Sequence, residues 1–216
     1  MKYQIVFTRC VFLLLIFVGA GPLLAQRFEI DPYASYFNAD RFRRGEFKSE
    51  GIYGIKGGVF LNPSIEAELN FGYMNHFKLI GTNGRTRGLV WEALGAYNFG
   101  TRTIRGARFR PFVSIGVGGV TAAGGHAVSS ATRQTIFLQD PFLGITRPFT
   151  SVTTTTLRSG DTFFAISYGG GVKALRLKGP LGVRAEIRGR TLPNFFGSTT
   201  SWIEGSGALT ITWGEP

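Results

Sequence analysis

The chain has 216 residues, a formal net charge of +11 and a single cysteine, Cys10. One cysteine excludes an intrachain disulfide and a metal site built from several thiolates. After residue 25 no stretch of sequence is long and apolar enough for a transmembrane helix. A membrane-embedded form of this chain would therefore be a closed β-barrel, the other structure that satisfies every backbone group in lipid.

The first 25 residues are predicted to be a secretory signal peptide. Lys2 and Arg9 provide a basic start, and residues 11–20 form a short apolar core. A transmembrane anchor is the alternative, but this core is short for a bilayer and Gly21-Pro22 interrupts it. Cleavage after residue 20 or residue 25 would fit the sequence, and residues 26–216 then form one domain.

Residues 64–75 show the clearest strand pattern in the chain. Ile65 and Leu69 alternate with Glu66 and Glu68, so one face of the strand is apolar and the other is charged. Similar segments predict eight strands, at 27–37, 51–60, 64–75, 87–99, 108–121, 162–175, 180–190 and 202–213. Ten to twelve tilted residues cover the roughly 25 Å apolar band of an outer-membrane barrel.

The connections between these segments alternate in length. Short turns are predicted at 61–63 and 176–179, with a moderate one at 100–107, and longer loops at 38–50, 76–86, 122–161 and 191–201. This rhythm is typical of barrels with short periplasmic turns, long outer loops and both termini in the periplasm. The Thr-rich run 153–156 falls in the longest loop, which we expect to be mobile.

These patterns predict an all-β fold, an eight-stranded antiparallel up-and-down transmembrane β-barrel. Its charged face would point into the lumen, since eight strands leave just enough room for side chains. That face carries Glu29, Asp31, Lys56, Glu66, Glu68, Glu92, Arg110, Lys173, Arg184, Glu186, Arg188, Arg190 and Glu204. We predict an interior charge network formed chiefly by Glu66, Glu68, Glu92, Arg110, Lys173, Arg184, Glu186 and Arg188. The alternative is a soluble barrel with these groups in water.

Basic residues outside this set cluster in the connections. Those in or beside the long loops are Arg41, Arg43, Arg44, Lys48, Lys78, Arg85, Arg87, Arg133, Arg147 and Arg158. Such a crown would attract lipopolysaccharide phosphates or other anionic surfaces, although a merely solvated basic rim is an equal alternative. Nucleic-acid binding is not expected, because no motif for it is present and the chain is predicted to be exported.

Three segments resemble the small eight-stranded outer-membrane barrels, the broad OmpA-like and OmpX-like β-barrel domain family. They are 110–118 (RPFVSIGVG), 168–173 (YGGGVK) and 183–188 (VRAEIR). The resemblance covers the whole chain after the signal peptide. It implies a location in the bacterial outer membrane, with outer-membrane lipids and the barrel-assembly machinery as partners. One departure is that Trp213 is followed by three residues, whereas such barrels usually end on a terminal aromatic.

No catalytic, metal or cofactor site is predicted. His126 lies near Ser129 and Ser130, with Asp140 in the same loop, which invites comparison with lipid A deacylase barrels. In that family one residue separates the histidine from the serine, and Val128 stands in the serine's place here. We therefore predict a structural or surface-interaction role through basic outer loops. A lipid A-modifying enzyme and a narrow pore for small solutes are the alternatives.

Overall fold

The computed structural model describes residues 27–38, 49–77, 86–104, 107–124, 128–139 and 146–214. The predicted signal peptide, residues 1–25, and both predicted cleavage positions lie outside these ranges. Within the described residues there is no helix with the length and hydrophobicity needed to cross a membrane.

The described chain forms eleven strands. They are β1 (Phe28–Asn38), β2 (Glu50–Phe60), β3 (Ile65–Phe77), β4 (Thr86–Asn98), β5 (Arg102–Ile104), β6 (Ala107–Ala123), β7 (Val128–Gln139), β8 (Thr146–Leu157), β9 (Thr162–Lys178), β10 (Leu181–Phe195) and β11 (Ser198–Trp213).

Eight of these strands close into an antiparallel barrel. Each barrel strand pairs with the next in the chain, β4 pairs with β6, β6 pairs with β9, and the first strand β1 pairs with the last strand β11. Because no barrel strand is left with an unpaired edge, the arrangement meets the requirement for a sheet in lipid. The predicted fold class, an eight-stranded up-and-down antiparallel barrel, is confirmed.

The two ends of the barrel differ. At one end, which we name the turn end, lie the connections 61–64, 99–106 and 179–180. At the other end, the loop end, lie the connections 39–49, 78–85 and 124–161, together with the β10–β11 turn. Most connections of the barrel therefore follow the predicted alternation of short and long segments.

Two predicted loops were wrong. Residues 122–161 contain the hairpin β7–β8, and the Thr-rich run 153–156 is part of β8. Threonine is β-branched and favours strands, which is the physical reason that this run is extended. Residues 191–201 are not a long loop either, since β10 runs to Phe195 and β11 begins at Ser198. Phe196 and Gly197 make the turn, both at positive φ (49° and 80°), as a tight two-residue hairpin turn requires.

An apolar core fills the barrel interior near the loop end. Phe37 and Trp202 pack with ring centroids 5.5 Å apart, and Phe163 packs edge-on against Phe195 at 4.6 Å. Leu157, at the end of β8, is buried in the same core, which anchors the β7–β8 hairpin to the barrel. This part of the lumen is closed by packed side chains.

Inward-facing glycines let neighbouring strands approach closely. A Cβ added at Gly118 would collide with the Trp91 carbonyl oxygen, and one added at Gly171 would collide with the Ala185 carbonyl oxygen. A narrow, strongly coiled barrel brings these backbones together, so the glycine-rich sequence of β6 and β9 follows from the curvature of the wall.

The outer face of the barrel is apolar. Exposed aliphatic side chains such as Ile55, Leu69, Ile115 and Ile187 lie in the middle of their strands, and exposed aromatic residues lie both there, as Phe71 and Trp91 do, and at the strand ends. The exposed aromatic residues close to the turn end are Phe28, Tyr97, Phe99 and Trp213. An apolar band with aromatic borders is the surface that an outer-membrane barrel presents to lipid.

Candidate functional site: the charged interior

The structure places the charged residues of the alternating pattern inside the barrel. Seven of the eight residues predicted as the interior charge network are at most 3% exposed, and the eighth, Arg110, is half-buried. Each comes from a strand position whose neighbours in sequence face outward, so strand periodicity alone directs these side chains to the lumen. The set spans β3, β4, β6, β9 and β10, so it meets only when the barrel closes.

Lys173 organises the interior nearest the turn end. Its ammonium group donates to Glu29 at 2.6 Å and to Glu66 at 2.7 Å, and Glu68 lies 3.6 Å away. The two donors that complete this region are Arg27, which bonds Glu29 at 2.7 Å, and Asn98, which bonds Glu66 at 3.0 Å. One buried lysine thus holds together carboxylates from β1 and β3.

Arg184 is the centre of the middle layer. Its guanidinium forms two parallel bonds to Glu68, at 2.7 and 3.0 Å, and a third to Asp31 at 3.0 Å. It also contacts Glu186, which accepts a hydrogen bond from Lys56. The same guanidinium stacks 4.2 Å from the centre of the Phe112 ring, so its remaining surface is covered by an aromatic face.

Arg188 and Arg190 carry the network toward the loop end. Arg188 bridges Glu186 at 2.6 Å and Glu92 at 3.0 Å. Arg190 in turn bridges Glu92 at 2.8 Å and Glu204 at 2.7 Å. Because Glu29, Glu68, Glu186 and Glu92 are each shared by at least two cations, the ion pairs form one connected chain from Arg27 to Glu204.

Three members of this interior are absent from the thirteen residues predicted for the charged face. Arg27 has the same strand parity as Glu29, so the alternation did contain a signal for it. Asn70, which donates to Glu92 at 2.7 Å, and Asn98 also lie on the charged face. They were missed because the prediction considered charged groups only, whereas a buried carboxylate needs any donor that satisfies its lone pairs.

Arg110 behaves differently from the other predicted members. Its Nε donates to the Thr101 hydroxyl at 3.0 Å, and it forms no ion pair with a carboxylate of the described residues. Its position at the start of β6 places it at the turn-end mouth rather than in the middle of the lumen. The alternation along a strand determines which face a side chain lies on, but it does not determine the position of that side chain along the barrel axis.

The arrangement places paired charges and apolar side chains inside the lumen. Opposite charges are held within hydrogen-bonding distance along the axis, and the apolar core occupies the space toward the loop end. Burying these charges is costly unless each is paired, and the dense bonding offsets that cost. Chemically, the interior is suited to holding the barrel wall together.

The residues considered for catalysis fall largely outside the described part of the chain. His126 and Asp140 lie outside it, while Ser129 and Ser130 are in β7 without described side chains. His76 is in β3, and its side chain is likewise not described. Among the described residues, no group of three or more His, Cys, Asp or Glu side chains is placed to hold a metal ion.

Comparisons with known proteins support the fold. No protein-family model matches the chain, and no curated protein sequence matches it. Neisserial surface protein A is 9% identical with a TM-score of 0.50, and the alignment covers 89% of this chain and 98% of that one. The N-terminal β-barrel domain of Pseudomonas aeruginosa OprF is 16% identical with a TM-score of 0.48, covering 87% and 97%. Ail, the attachment invasion locus protein of Yersinia pestis, is 10% identical with a TM-score of 0.41, again covering 87% and 97%.

At this level of identity the likeness to Neisserial surface protein A concerns the fold alone. The chain has the fold of the small eight-stranded outer-membrane barrels, which is the class predicted from its sequence. The continuous ion pairs and the apolar core of the interior are features of this chain's own residues, and the comparison adds nothing to them.

Proposed function

We propose that this protein spans the bacterial outer membrane as a sealed barrel and presents its basic loops for interaction with anionic surfaces. The observation that carries the proposal is the inverted polarity of the barrel. Charged side chains such as Arg190 and Glu186 are buried, while Ile187, between them in sequence, is 67% exposed. Water favours the opposite arrangement, and lipid favours this one.

The outward positions strengthen the membrane assignment. In the middle of the eight barrel strands, none of the described outward-facing residues is charged. A large contiguous apolar surface on a soluble monomer would promote aggregation, whereas in a bilayer it is the expected boundary. Location in the outer membrane rather than another bilayer is consistent with the predicted signal peptide and with the barrel fold.

A closed interior favours a structural and interactive role over transport. The ion pairs of Arg184 and Arg188 cross the lumen, and the core around Trp202 covers them toward the loop end. A wide aqueous channel would need this space. We therefore assign the interaction role to the connections, where the basic residues outside the barrel interior are concentrated.

The loop-end charges support an anionic partner. The connections 39–49 and 78–85 contain six Lys or Arg residues and two Asp or Glu residues between them. Arg158, at the base of the β7–β8 hairpin, is exposed. Such a surface fits the phosphates of lipopolysaccharide or another polyanion through charge attraction that weakens with salt.

The first experiment is electrophoresis of boiled and unboiled samples from outer-membrane fractions. A shift in mobility on boiling is expected for a closed, detergent-resistant barrel. Protein found free in the periplasm with no shift would overturn the membrane proposal. Planar-bilayer recording of the same purified barrel is expected to show no steady open state, and a stable conductance would contradict the sealed lumen.

The loop role needs a separate measurement. Binding to vesicles that contain lipopolysaccharide should fall when Arg41, Arg43 and Arg44 are replaced together by Gln. The matched control replaces three bases at the turn end, Arg102, Arg108 and Lys178, by Gln. Equal loss in both triple variants would mean that the overall charge, and not the outer loops, determines binding.

A further inference from the structure

A pocket of about 410 Å³ lies at the turn end of the barrel, between the start of β1, the end of β11 and the β9–β10 turn. Its walls are formed by Arg27, Arg176, Gly179, Pro180, Thr212 and Gly214. Two of these six residues carry guanidinium groups, and none of the six is acidic. The lining residues therefore carry two positive charges and no negative one.

Arg27 is built into this pocket. It is 8% exposed, and its Nη2 atom donates to Glu29 at 2.7 Å. Its Nε atom is buried and has no hydrogen-bond partner among the described residues. Since Glu29 also accepts a hydrogen bond from Lys173, this single carboxylate is shared by two cations. Arg27 thus retains donor capacity that the described interior does not use.

A second guanidinium adds to the excess of positive charge. Arg27 and Arg110 both lie over the Phe60 ring, with their central carbons 4.8 and 5.6 Å from its centroid. Arg110 has no carboxylate partner among the described residues, as noted above. Lys173 lies over the same ring at 5.4 Å, so three cations gather here beside the carboxylates of Glu29 and Glu66. A further anion would add to their stabilisation.

Arg176 lines the other side of the pocket in an unusual backbone conformation. Its φ is +57°, one of two positive values for non-glycine residues in the described chain. The β9–β10 ladder changes register here, between the pairs Leu181–Lys178 and Val183–Ala174. Such irregularities redirect side chains, and a strained non-glycine residue is often retained at a binding site. Arg176 forms no ion pair with a described carboxylate.

The position of the pocket along the barrel axis indicates which layer of the membrane it faces. Trp213 lies between the two wall residues Thr212 and Gly214 and is exposed on the outer face. Phe28, which follows Arg27, is exposed on the same face. Aromatic side chains at a barrel border mark the level of the lipid head groups, so the pocket opens at that level.

We propose that this pocket binds the phosphate of an anionic phospholipid head group from the leaflet at the turn end. Guanidinium groups match phosphate oxygens through paired hydrogen bonds, and Arg27 and Arg176 are the two lining residues that carry such groups. The inference rests on the membrane location proposed above. It concerns the end of the barrel opposite the basic loops.

The test is native mass spectrometry of the refolded full chain in detergent with phosphatidylglycerol or phosphatidylcholine. The wild-type protein should retain phosphatidylglycerol preferentially. Arg176→Gly should lower that retention about tenfold, because it removes a charge-assisted contact. Glycine suits the positive φ at this position, so the variant should fold as well as the wild type or better. Lys178→Ala removes an exposed charge at the same end outside the pocket and should leave retention within about twofold.

Several outcomes would overturn the proposal. No preference for phosphatidylglycerol in the wild type would do so, as would equal losses in Arg176→Gly and Lys178→Ala. Binding of inorganic phosphate without lipid retention would reassign the pocket to a free anion. If only the Glu215→Gln variant retains phosphatidylglycerol, the chain's own carboxylate occupies the pocket in the wild-type protein. Boiling-dependent mobility is measured on every sample, so failure of the barrel itself is distinguishable from failure of this site.

Discussion

Arg184 and Glu68 are joined across the barrel lumen by two parallel hydrogen bonds of 2.7 and 3.0 Å, although 116 positions separate them in sequence. The pair links β10 to β3, strands that are not neighbours in the wall. Cross-lumen pairs of this kind brace the wall from inside, in addition to the hydrogen bonds between adjacent strands. Their strength is the first property to test.

Replacing Arg184 by Ala is expected to lower the free energy of unfolding by about 3–5 kcal/mol, since Glu68 and Asp31 would remain buried without their main partner. Glu186→Ala should act in the same direction through Lys56 and Arg188. Thermal loss of the compact, unboiled electrophoretic form measures both effects. Arg102→Ala, at an exposed position, is the control. Unchanged unfolding in both interior variants would contradict a stabilising network.

The pairing of Arg184 with Glu68 predicts energetic coupling between the two positions. A double variant, Arg184→Met with Glu68→Gln, should be less destabilised than the sum of its single variants, by about 0.5–3 kcal/mol. Guanidinium-induced unfolding in detergent micelles gives the four free energies required. Strict additivity would show that the two bonds contribute no specific interaction.

Glycines on the two faces of the wall should respond differently to added methyl groups. Gly171→Ala is expected to destabilise the barrel by about 1–3 kcal/mol, because the new Cβ would overlap the Ala185 carbonyl oxygen. Gly207→Ala on the outer face, where nothing lies within 4 Å of the added Cβ, should change stability by less than about 0.5 kcal/mol. Equal effects at both sites would contradict the close strand approach.

The apolar outer face predicts a large penalty for an outward charge. Ile187→Arg should destabilise a membrane-inserted barrel by about 2–4 kcal/mol, since its position lies in the middle of β10. The control is Ile104→Arg, which is also exposed but lies in β5 at the turn end. Refolding yield into lipid vesicles reports the difference. A soluble barrel would tolerate both changes within about 0.5 kcal/mol.

The anchoring of the β7–β8 hairpin is testable through Leu157. Truncation to Ala removes a buried side chain from the core around Trp202 and should cost about 2–5 kcal/mol of local stability. Trypsin should then cleave faster after Arg158, the exposed residue that follows. Thr146→Ala, at the exposed far end of β8, is the control. Equal cleavage rates in all three proteins would show that Leu157 does not hold the hairpin.

The sequence predicted the eight barrel strands because most of them have a clear two-residue period, although β9 is apolar or glycine on both faces. Residues such as Glu66, Glu68 and Asn70 alternate with Ala67 and Leu69, and this pattern depends only on local backbone geometry. It was less informative for 122–161, where threonine and serine are spread over both faces of β7 and β8. Without a polar and an apolar face, the hairpin had no periodic signal.

The β10–β11 turn shows a second limit of local reasoning. Pro193, Asn194 and Gly197 are typical turn residues, so the composition of this segment favours a loop. In the structure Pro193 is within β10, and the irregular register between Leu192 and Phe195 accommodates it. Burial of Phe195 against Phe163 favours continuing the strand to the end of the hairpin.

The sequence by itself determined the architecture and the inward face, because strand parity and the length of each segment are local properties. Only the tertiary structure decided which charges meet, since the partner of Lys173 or Arg184 depends on the stagger and closure of eight strands. It alone also decided that Arg110 lies at the mouth and that Arg27 and Arg176 share a pocket. Parity assigns a side chain to a face, whereas its height and neighbours follow from the coiling of the whole barrel.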